Sequence, residues 1–394
     1  MRILHVIPSL APSDGGPARV AVEMCRELMR RGKHAEVYTT NADGDGCLDV
    51  PLGTQVDVSG VPVTYFPVAA SNYYKIAPQL SAALNDAIPR ADVVHIHALY
   101  QYPSTVGARY SRKHRIPYVV TPHGSLDPFL FRRHRARKWL YEVAFERRNL
   151  CRAAAAHFTT TEEMDLARLS GLRFRGLVAP LGVEFEEAPD DWERLVTTTW
   201  PDLTGQQVIL FLGRINFKKG LDVLAKAFGT IHSQRKDVQL VIAGPDNEGY
   251  GKQVRALLAQ ENCLSGVTFT GMVQGGLKAS LLRRARVFVL PSYTENFGIA
   301  VVEAMGAGLP VAISNRVNIW REVQEAGAGL VSDPDPDQFA AIIMTVLNDP
   351  VSADAMSKRA YRFARQHFSW ERAGDLLLAL YRQAIAEHVS SIQA

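Results

Sequence analysis

Apolar and polar positions along the chain follow two alternating rhythms. Short runs rich in Val, Ile, Leu and aromatic residues, at 3–7, 36–39, 63–66, Val93–His97, Tyr118–Thr121, 158–160 and 177–179, predict strands. Between them apolar positions recur at helical spacing. The first such segment, 17–31, carries Val20, Met24 and Leu28 on one face, opens on Pro17 and stops at Gly32. Strands that alternate with helices from the first residue onward predict parallel βαβ units in an α/β fold.

The rhythm breaks at 184–202, an acidic stretch poor in aromatic residues, and restarts at 208–212, Val238–Ala243, 267–270, Val287–Leu290 and 310–314. A chain of 394 residues exceeds what one hydrophobic core usually serves, so the break is read as a domain boundary. The expectation is two similar domains, 1–185 and 186–368, whose open sheets face each other across a cleft. A long amphipathic pattern near the end places Trp370, Ala373, Leu377, Leu380 and Tyr381 on one side. Residues 369–394 are therefore expected to cross back onto the first domain.

Composition narrows the class. With 47% apolar and 21% charged residues the chain is neither disordered nor membrane-spanning, and no apolar run approaches 18 residues. The opening MRILHVIPSL reads as a first strand, without the h-region of a secretory signal, which makes the expected location cytoplasmic. Cys25, Cys47, Cys151 and Cys263 show no CxxC pairing, so neither a disulfide framework nor a zinc site is indicated. A formal charge of +4 is mild and calls for no nucleic-acid partner. Basic residues do crowd 132–138 (RRHRARK), between aromatic and apolar residues from Phe129 to Tyr141. That mixture suits an anionic membrane surface or acceptor, and equally the solvated face of an ordinary helix.

Three stretches carry candidate chemistry. Gly15 and Gly16 directly precede a helix start, where backbone amides unobstructed by a Cβ can receive an anion. After the first strand of the second half, FLGRINFKKG sets Gly213, Arg214 and Lys219 between a buried strand and a helix. Two cations there can neutralise a diphosphate, one by bidentate bonds and one as a point charge. In LPSYTENFGIAVVEAMGAGLPV, Glu295 follows a strand and Glu303 lies on the next helix, with Asn296, Phe297 and Gly298 at the helix start. Carboxylates so placed can accept hydrogen bonds from sugar and ribose hydroxyls. The bland alternative is a solvated basic loop and a glutamate that satisfies a buried amide.

Arg214 with Lys219, the Glu295-to-Glu303 spacing and the phrase EAMGAGLPV resemble family 4 of the retaining nucleotide-sugar glycosyltransferases, with the GT-B fold of two Rossmann-like domains. The resemblance extends over nearly the whole chain, including the Gly15–Gly16 loop and TPHGS. It implies that Arg214 and Lys219 hold a donor diphosphate, with Gly213 beside them. Glu303 would hold the ribose hydroxyls, and Glu295 would contact the transferred sugar. Asn296, Phe297, Gly298 and Ile299 would lie against the donor and offer backbone amides. Gly15 and Gly16 would face the diphosphate from the other domain, and His123 would stand near the donor sugar. By the same resemblance transfer retains configuration and needs no metal or cofactor. The acceptor would be a hydroxyl of a glycan or lipid-linked glycan in exopolysaccharide, capsule or lipopolysaccharide assembly, at the inner face of the plasma membrane. A nucleotide-sugar epimerase and a non-catalytic sugar-nucleotide-binding protein are the alternatives.

One departure and two decoys qualify this picture. Many relatives have a Gly-Gly pair where this chain has Asn315-Arg316-Val317-Asn318. Asp43-Gly44-Asp45 resembles a metal-binding DxD pair but lies in a cluster of turn residues. His95 and His97 alternate along one strand and so share a face, which offers two metal ligands without a third, or two packed histidines.

Overall fold

The computed structural model describes residues 1–12, 15–70, 73–131, 141 and 145–393. It divides into two compact units, Met1–Gly182 with Trp370–Ala394, and Val183–Ser369. The basic run at 132–138 lies outside the described residues.

Unit 1 is built on β1 Arg2–Ser9, β2 His34–Thr40, β5 Gln55–Val58, β6 Val61–Phe66, β7 Val93–His97, β8 Tyr118–Thr121, β9 Ala155–Phe158 and β10 Gly176–Val178. They form one sheet in the order β10-β9-β8-β7-β1-β2-β6-β5, parallel except for the β5 edge. A small hairpin, β3 Ala42–Asp43 and β4 Gly46–Cys47, turns through Gly44 and Asp45. The central strands are buried on both faces, which is why β1 and β7 read as near-continuous apolar runs. Helix α1, Gly16–Arg30, follows β1, and α2, Tyr102–His114, follows β7.

Unit 2 carries β11 Gln207–Leu212, β12 Val238–Ala243, β13 Val267–Gly271, β14 Val287–Leu290, β15 Val311–Ser314 and β16 Gly329–Ser332. All are parallel, in the order β13-β12-β11-β14-β15-β16. Successive strands step outward from β11 on one side, then restart at β14 on the other, the doubly wound order of a dinucleotide-type fold. The helices that matter below are α3 Leu221–Gln234, α4 Gly275–Arg284 and α5 Ile299–Gly306.

The last helix, α7 Trp370–Gln393, follows α6 Pro350–His367 and belongs to unit 1. Its buried Ala373, Leu377, Leu380 and Tyr381 belong to the stripe legible in the sequence, and the buried Ala384 extends it. Gly374 lets it lie directly on α1, because a Cβ there would stand 2.5 Å from Arg31 Nε. Arg31 in turn donates to Glu27 at 2.7 Å and pairs with Asp375.

Several strands differ from the sequence pattern for identifiable reasons. The run 158–160 is a strand only at Phe158, because Thr160 caps the next helix through Glu163 N at 3.0 Å and Thr159 is bonded to the Glu163 carboxylate. Residues 192–199, inside the presumed break, form a helix with Val196 buried. The edge strands β5 and β16 were not evident in the sequence, since their residues are half-exposed and lack a long apolar run.

Candidate functional site

In unit 2 the strand order reverses between β11 and β14, so the loops that leave these two strands bound a crevice at the carboxyl edge of the sheet. Gly220, at the end of the β11 loop, has φ +66, and a Cβ on it would stand 2.0 Å from the Pro291 carbonyl oxygen just past β14. Only glycine permits that approach, and it brings the two loops together. Asn216 shapes the loop by accepting from Lys218 N at 2.9 Å, while Tyr293 N donates to Lys218 O at 2.8 Å. Tyr293 OH also donates to Asp222 at 2.7 Å, and burial together with that carboxylate pushes the phenol pKa upward.

The result of this bracing is an ion pair between Lys219 Nζ and Glu295 Oε2, with side chains 18% and 22% exposed. Both helices that begin here, α3 after Gly220 and α5 after Gly298, lack a side-chain cap. Their first amides are therefore free to receive an anion. Gly298 adopts φ +80, and Ile299 opens α5. Phe297 is buried and packs edge-on against Phe368, so it contributes backbone here while its ring anchors the loop. Asn296 Oδ1 is withdrawn from water without a hydrogen-bond partner among the described residues.

Glu303 occupies a different setting. Its Oε1 accepts from Lys278 Nζ of α4 at 3.1 Å, and Lys278 also reaches Glu186 at 3.4 Å. Lys278 escaped the sequence reading. The signal was a lysine at helical spacing from the buried Leu281 and Leu282, on the apolar face of α4. Arg214 is exposed and has no ionic or hydrogen-bonded partner among the described residues. Of the four charged residues singled out, only Lys219 and Glu295 touch one another. Gly213 lies beside Lys219, whose Cε would be 3.7 Å from a Cβ at that position.

Residues 315–318 form a turn after β15, with Val317 in an isolated parallel bridge to Glu295. Glu295 N donates to Arg316 O at 3.0 Å and Asn318 N donates to Glu295 O at 3.0 Å, with Val317 and Asn318 buried. The departure thus grips the Glu295 backbone from its far side.

In unit 1, Gly15 has φ +74 and precedes α1, which begins at Gly16 and also lacks a side-chain cap. His123 follows β8 in the left-handed region at φ +51, in a loop held by the Glu163 carboxylate, which accepts from Gly124 N at 2.9 Å. His95 and His97, for which the sequence showed no third partner, meet His5, and ring nitrogens of the three lie within 4.8 Å of one another. A separate groove of about 810 Å³ has Tyr74, Tyr102, Tyr141, Phe145, Arg109 and Arg148 in its lining.

Comparison with known proteins agrees with this architecture. Residues 15–182 match the glycosyl transferase 4-like domain and residues 200–363 match glycosyl transferases group 1. The chain is 25% identical to GDP-mannose:cellobiosyl-diphosphopolyprenol alpha-mannosyltransferase of Xanthomonas oryzae, covering 98% of this chain and 97% of that protein. It is 27% identical to D-inositol 3-phosphate glycosyltransferase of Jonesia denitrificans, over 99% and 97% of the two chains. Among solved structures, sucrose-phosphate synthase of Thermosynechococcus elongatus superposes with a TM-score of 0.76 at 21% identity, covering 98% and 100%. HepE of Anabaena in complex with UDP-glucose superposes with a TM-score of 0.75 at 20% identity, covering 99% and 100%. Two consecutive domain matches, full-length relatives and a doubly wound sheet with its charged pair at the switch point place the chain in the group 1 glycosyltransferases, the retaining family 4 enzymes of GT-B fold that use nucleotide-sugar donors.

Proposed function

We propose that the enzyme moves a hexose from a UDP- or GDP-sugar, with retention, to a hydroxyl of a lipid-linked glycan during polysaccharide assembly. The observation that carries this reading is the Lys219–Glu295 pair set between two uncapped helix N-termini. A diphosphate is the ligand such a site suits best: Lys219 exchanges its carboxylate for a phosphate oxygen, Arg214 adds a bidentate contact, and Glu295 is released to a sugar hydroxyl. Glu303 retains an open Oε2 for ribose hydroxyls while Lys278 fixes Oε1. The amides of Asn296, Phe297, Gly298 and Ile299 face the same ligand. Gly213 gives the diphosphate close backbone approach, and for Gly15, Gly16 and His123 of unit 1 a role toward the donor is carried over from the family resemblance alone. As the leaving diphosphate gains charge, these cations and amides stabilise it, and the chemistry requires no metal.

For the acceptor, the full-length likeness to an enzyme named for a diphosphopolyprenol-linked sugar directs attention to unit 1. Its groove combines tyrosines and phenylalanine with Arg109 and Arg148, which matches an apolar chain joined to an anionic diphosphate. Unit 1 is thus the acceptor domain and unit 2 the donor domain. Thermal-shift screening against UDP-, GDP- and ADP-sugars identifies the donor. Transfer to a polyprenyl-diphosphate glycan is then assayed for wild type, Glu295→Ala and Arg109→Glu/Arg148→Glu. Loss of transfer in the first and a raised acceptor KM in the second are expected. Donor epimerisation without transfer, donor binding without turnover, or full activity of Glu295→Ala would each count against this reading.

Residues 132–138 extend the proposal to the membrane: the enzyme works as a peripheral protein on an anionic bilayer face. Among the described residues no helix is long and apolar enough to cross a membrane. Cosedimentation with anionic liposomes should fall when the arginines at 132–138 are replaced, and equal binding would defeat the idea.

A further inference from the structure

Five histidines of unit 1, from strands β1, β7 and β9 and the loop after β8, join into one hydrogen-bonded series with Thr121 and Tyr381. The sheet register explains the gathering. His5 pairs laterally with His95, and His97 with Thr121, so these side chains emerge on one face. His157 of β9 shares that face, and Tyr381 of α7 covers it. His5, His95, His97, His157 and Tyr381 are 0 to 1% exposed. Burial pushes each imidazole pKa down, to about 3 for His5 and about 4 for His157, so the rings are neutral at pH 7. A neutral imidazole has one N–H and one lone pair, and each nitrogen has a single fixed role.

The roles follow from one end. His157 Nε2 faces the Ala179 carbonyl oxygen at 2.8 Å, an acceptor only, so Nε2 carries the proton. Nδ1 of His157 is then bare and accepts from the Thr121 hydroxyl at 2.9 Å. Thr121 Oγ1, its proton committed, accepts from His95 Nε2 at 2.6 Å. His95 Nδ1 is therefore bare and accepts from Tyr381 OH at 2.6 Å. The Tyr381 oxygen presents its lone pair to His5 Nε2 at 3.5 Å, the longest link. With Nε2 protonated, His5 Nδ1 accepts from His97 Nε2 at 2.9 Å. By the same logic His97 Nδ1 accepts from His123 Nε2 at 3.0 Å.

We propose that this directional series, anchored at the Ala179 carbonyl and turned at Tyr381, fixes His123 as its Nε2–H tautomer and leaves Nδ1 as a lone-pair acceptor. Among the described residues Nδ1 of His123 has no partner. Desolvation of the ring, and next the neighbouring His157, push its pKa down to about 3, while part of the residue stays open to solvent. His97, His5, Tyr381, His95, Thr121 and His157 are positioning residues, and His123 is the one they serve. The ligand class is a hydroxyl that donates, such as a sugar hydroxyl, and that last step rests on the donor reading above. The same geometry leaves no lone pair of His5 and His97 free for a metal, because their facing nitrogens share a proton.

The test is the 15N spectrum of the histidine rings in the whole protein at pH 7, with long-range correlations that separate protonated from bare nitrogens. Wild type is expected to show His123 with Nε2 protonated and Nδ1 bare. Tyr381→Phe deletes only the hydroxyl, so His5, His97 and His123 lose their bias and move to averaged tautomer shifts. His95 and His157, still tied to Thr121 and Ala179, keep theirs. Thr121→Val releases His95 from the anchor and shifts His123 toward the Nδ1–H form, while Thr121→Ser keeps the wild-type pattern. A wild-type His123 with Nδ1 protonated, an unchanged His123 in both Tyr381→Phe and Thr121→Val, or stoichiometric zinc uptake by His5, His95 and His97 would overturn the proposal. Saturation with UDP-glucose or GDP-mannose should then move the His123 Nδ1 signal. An unmoved signal beside the expected tautomers would remove His123 from the donor site and leave the series intact.

Discussion

Acid should weaken unit 1 far more than unit 2, and the histidine series sets the size of the effect. An unfolded histidine titrates near 6.5. Burial holds His5 near 3 and His157 near 4, and lowers His95 and His97 as well. Between these values the unfolded chain binds protons that the folded one refuses. The stabilisation is therefore complete above pH 6.5 and is lost as pH falls toward 4 and 3. Each such ring contributes a slope of about 1.4 kcal/mol per pH unit. At pH 5 that is about 2 kcal/mol for each of His5 and His157, about 4 kcal/mol together, with His95 and His97 acting in the same direction. For a unit of this size these two rings alone should lower the transition by about 8–16 °C. Scanning calorimetry in steps from pH 8 to 5 reads the shift, and hydrogen exchange in β1 and β7 identifies which transition belongs to unit 1. Unit 2, whose histidines are His232 and His367, is the internal control. A unit 1 transition that moves by only a few degrees, or rises, refutes the reasoning.

Other perturbations probe unit 2. Gly220→Ala forces a Cβ against the Pro291 carbonyl at a positive φ, and the strain should cost about 3 kcal/mol and separate the two loops, seen as a lower unit 2 melting transition and weaker donor binding. Lys278→Met strands the Glu303 carboxylate, which should destabilise unit 2 by about 3 kcal/mol; adding Glu303→Gln should recover much of that in chemical denaturation, and additive losses would contradict the pairing. Lys219→Ala should raise the donor KM by about 10- to 100-fold through loss of a charge-assisted contact, with steady-state kinetics as the readout. An unchanged KM would remove Lys219 from the donor.

Much of the fold was legible because buried parallel strands are written as short runs dominated by Val, Ile and Leu, as at Val238–Ala243 and Val287–Leu290. Edges were not, since β16 is too short and too exposed to leave a pattern. The contact between Lys219 and Glu295 was foreshadowed by their places after two strands, yet the residues that make it possible are less conspicuous. Gly220 earns its position through one carbonyl 71 residues away in sequence, at Pro291, which no local window reveals. Lys278 looked like a helix residue among leucines until Glu303 gave it a partner. His5 is the clearest case: as one polar letter in an apolar strand it had no visible role, and only lateral register beside His95 supplied one.

Because unit 1 draws on both ends of the chain, its order of assembly is constrained during synthesis. Val183–Ser369 leaves the ribosome as a continuous stretch and can collapse while Met1–Gly182 still waits for Trp370–Ala394. Until α7 arrives, Tyr381 is absent and one face of β1 and β7 stands open to water, with His5 and His95 free to take up protons. A nascent chain cut short at residue 369 would thus release a finished unit 2 tethered to an unfinished partner, a species that quality-control proteases should recognise by its uncovered sheet.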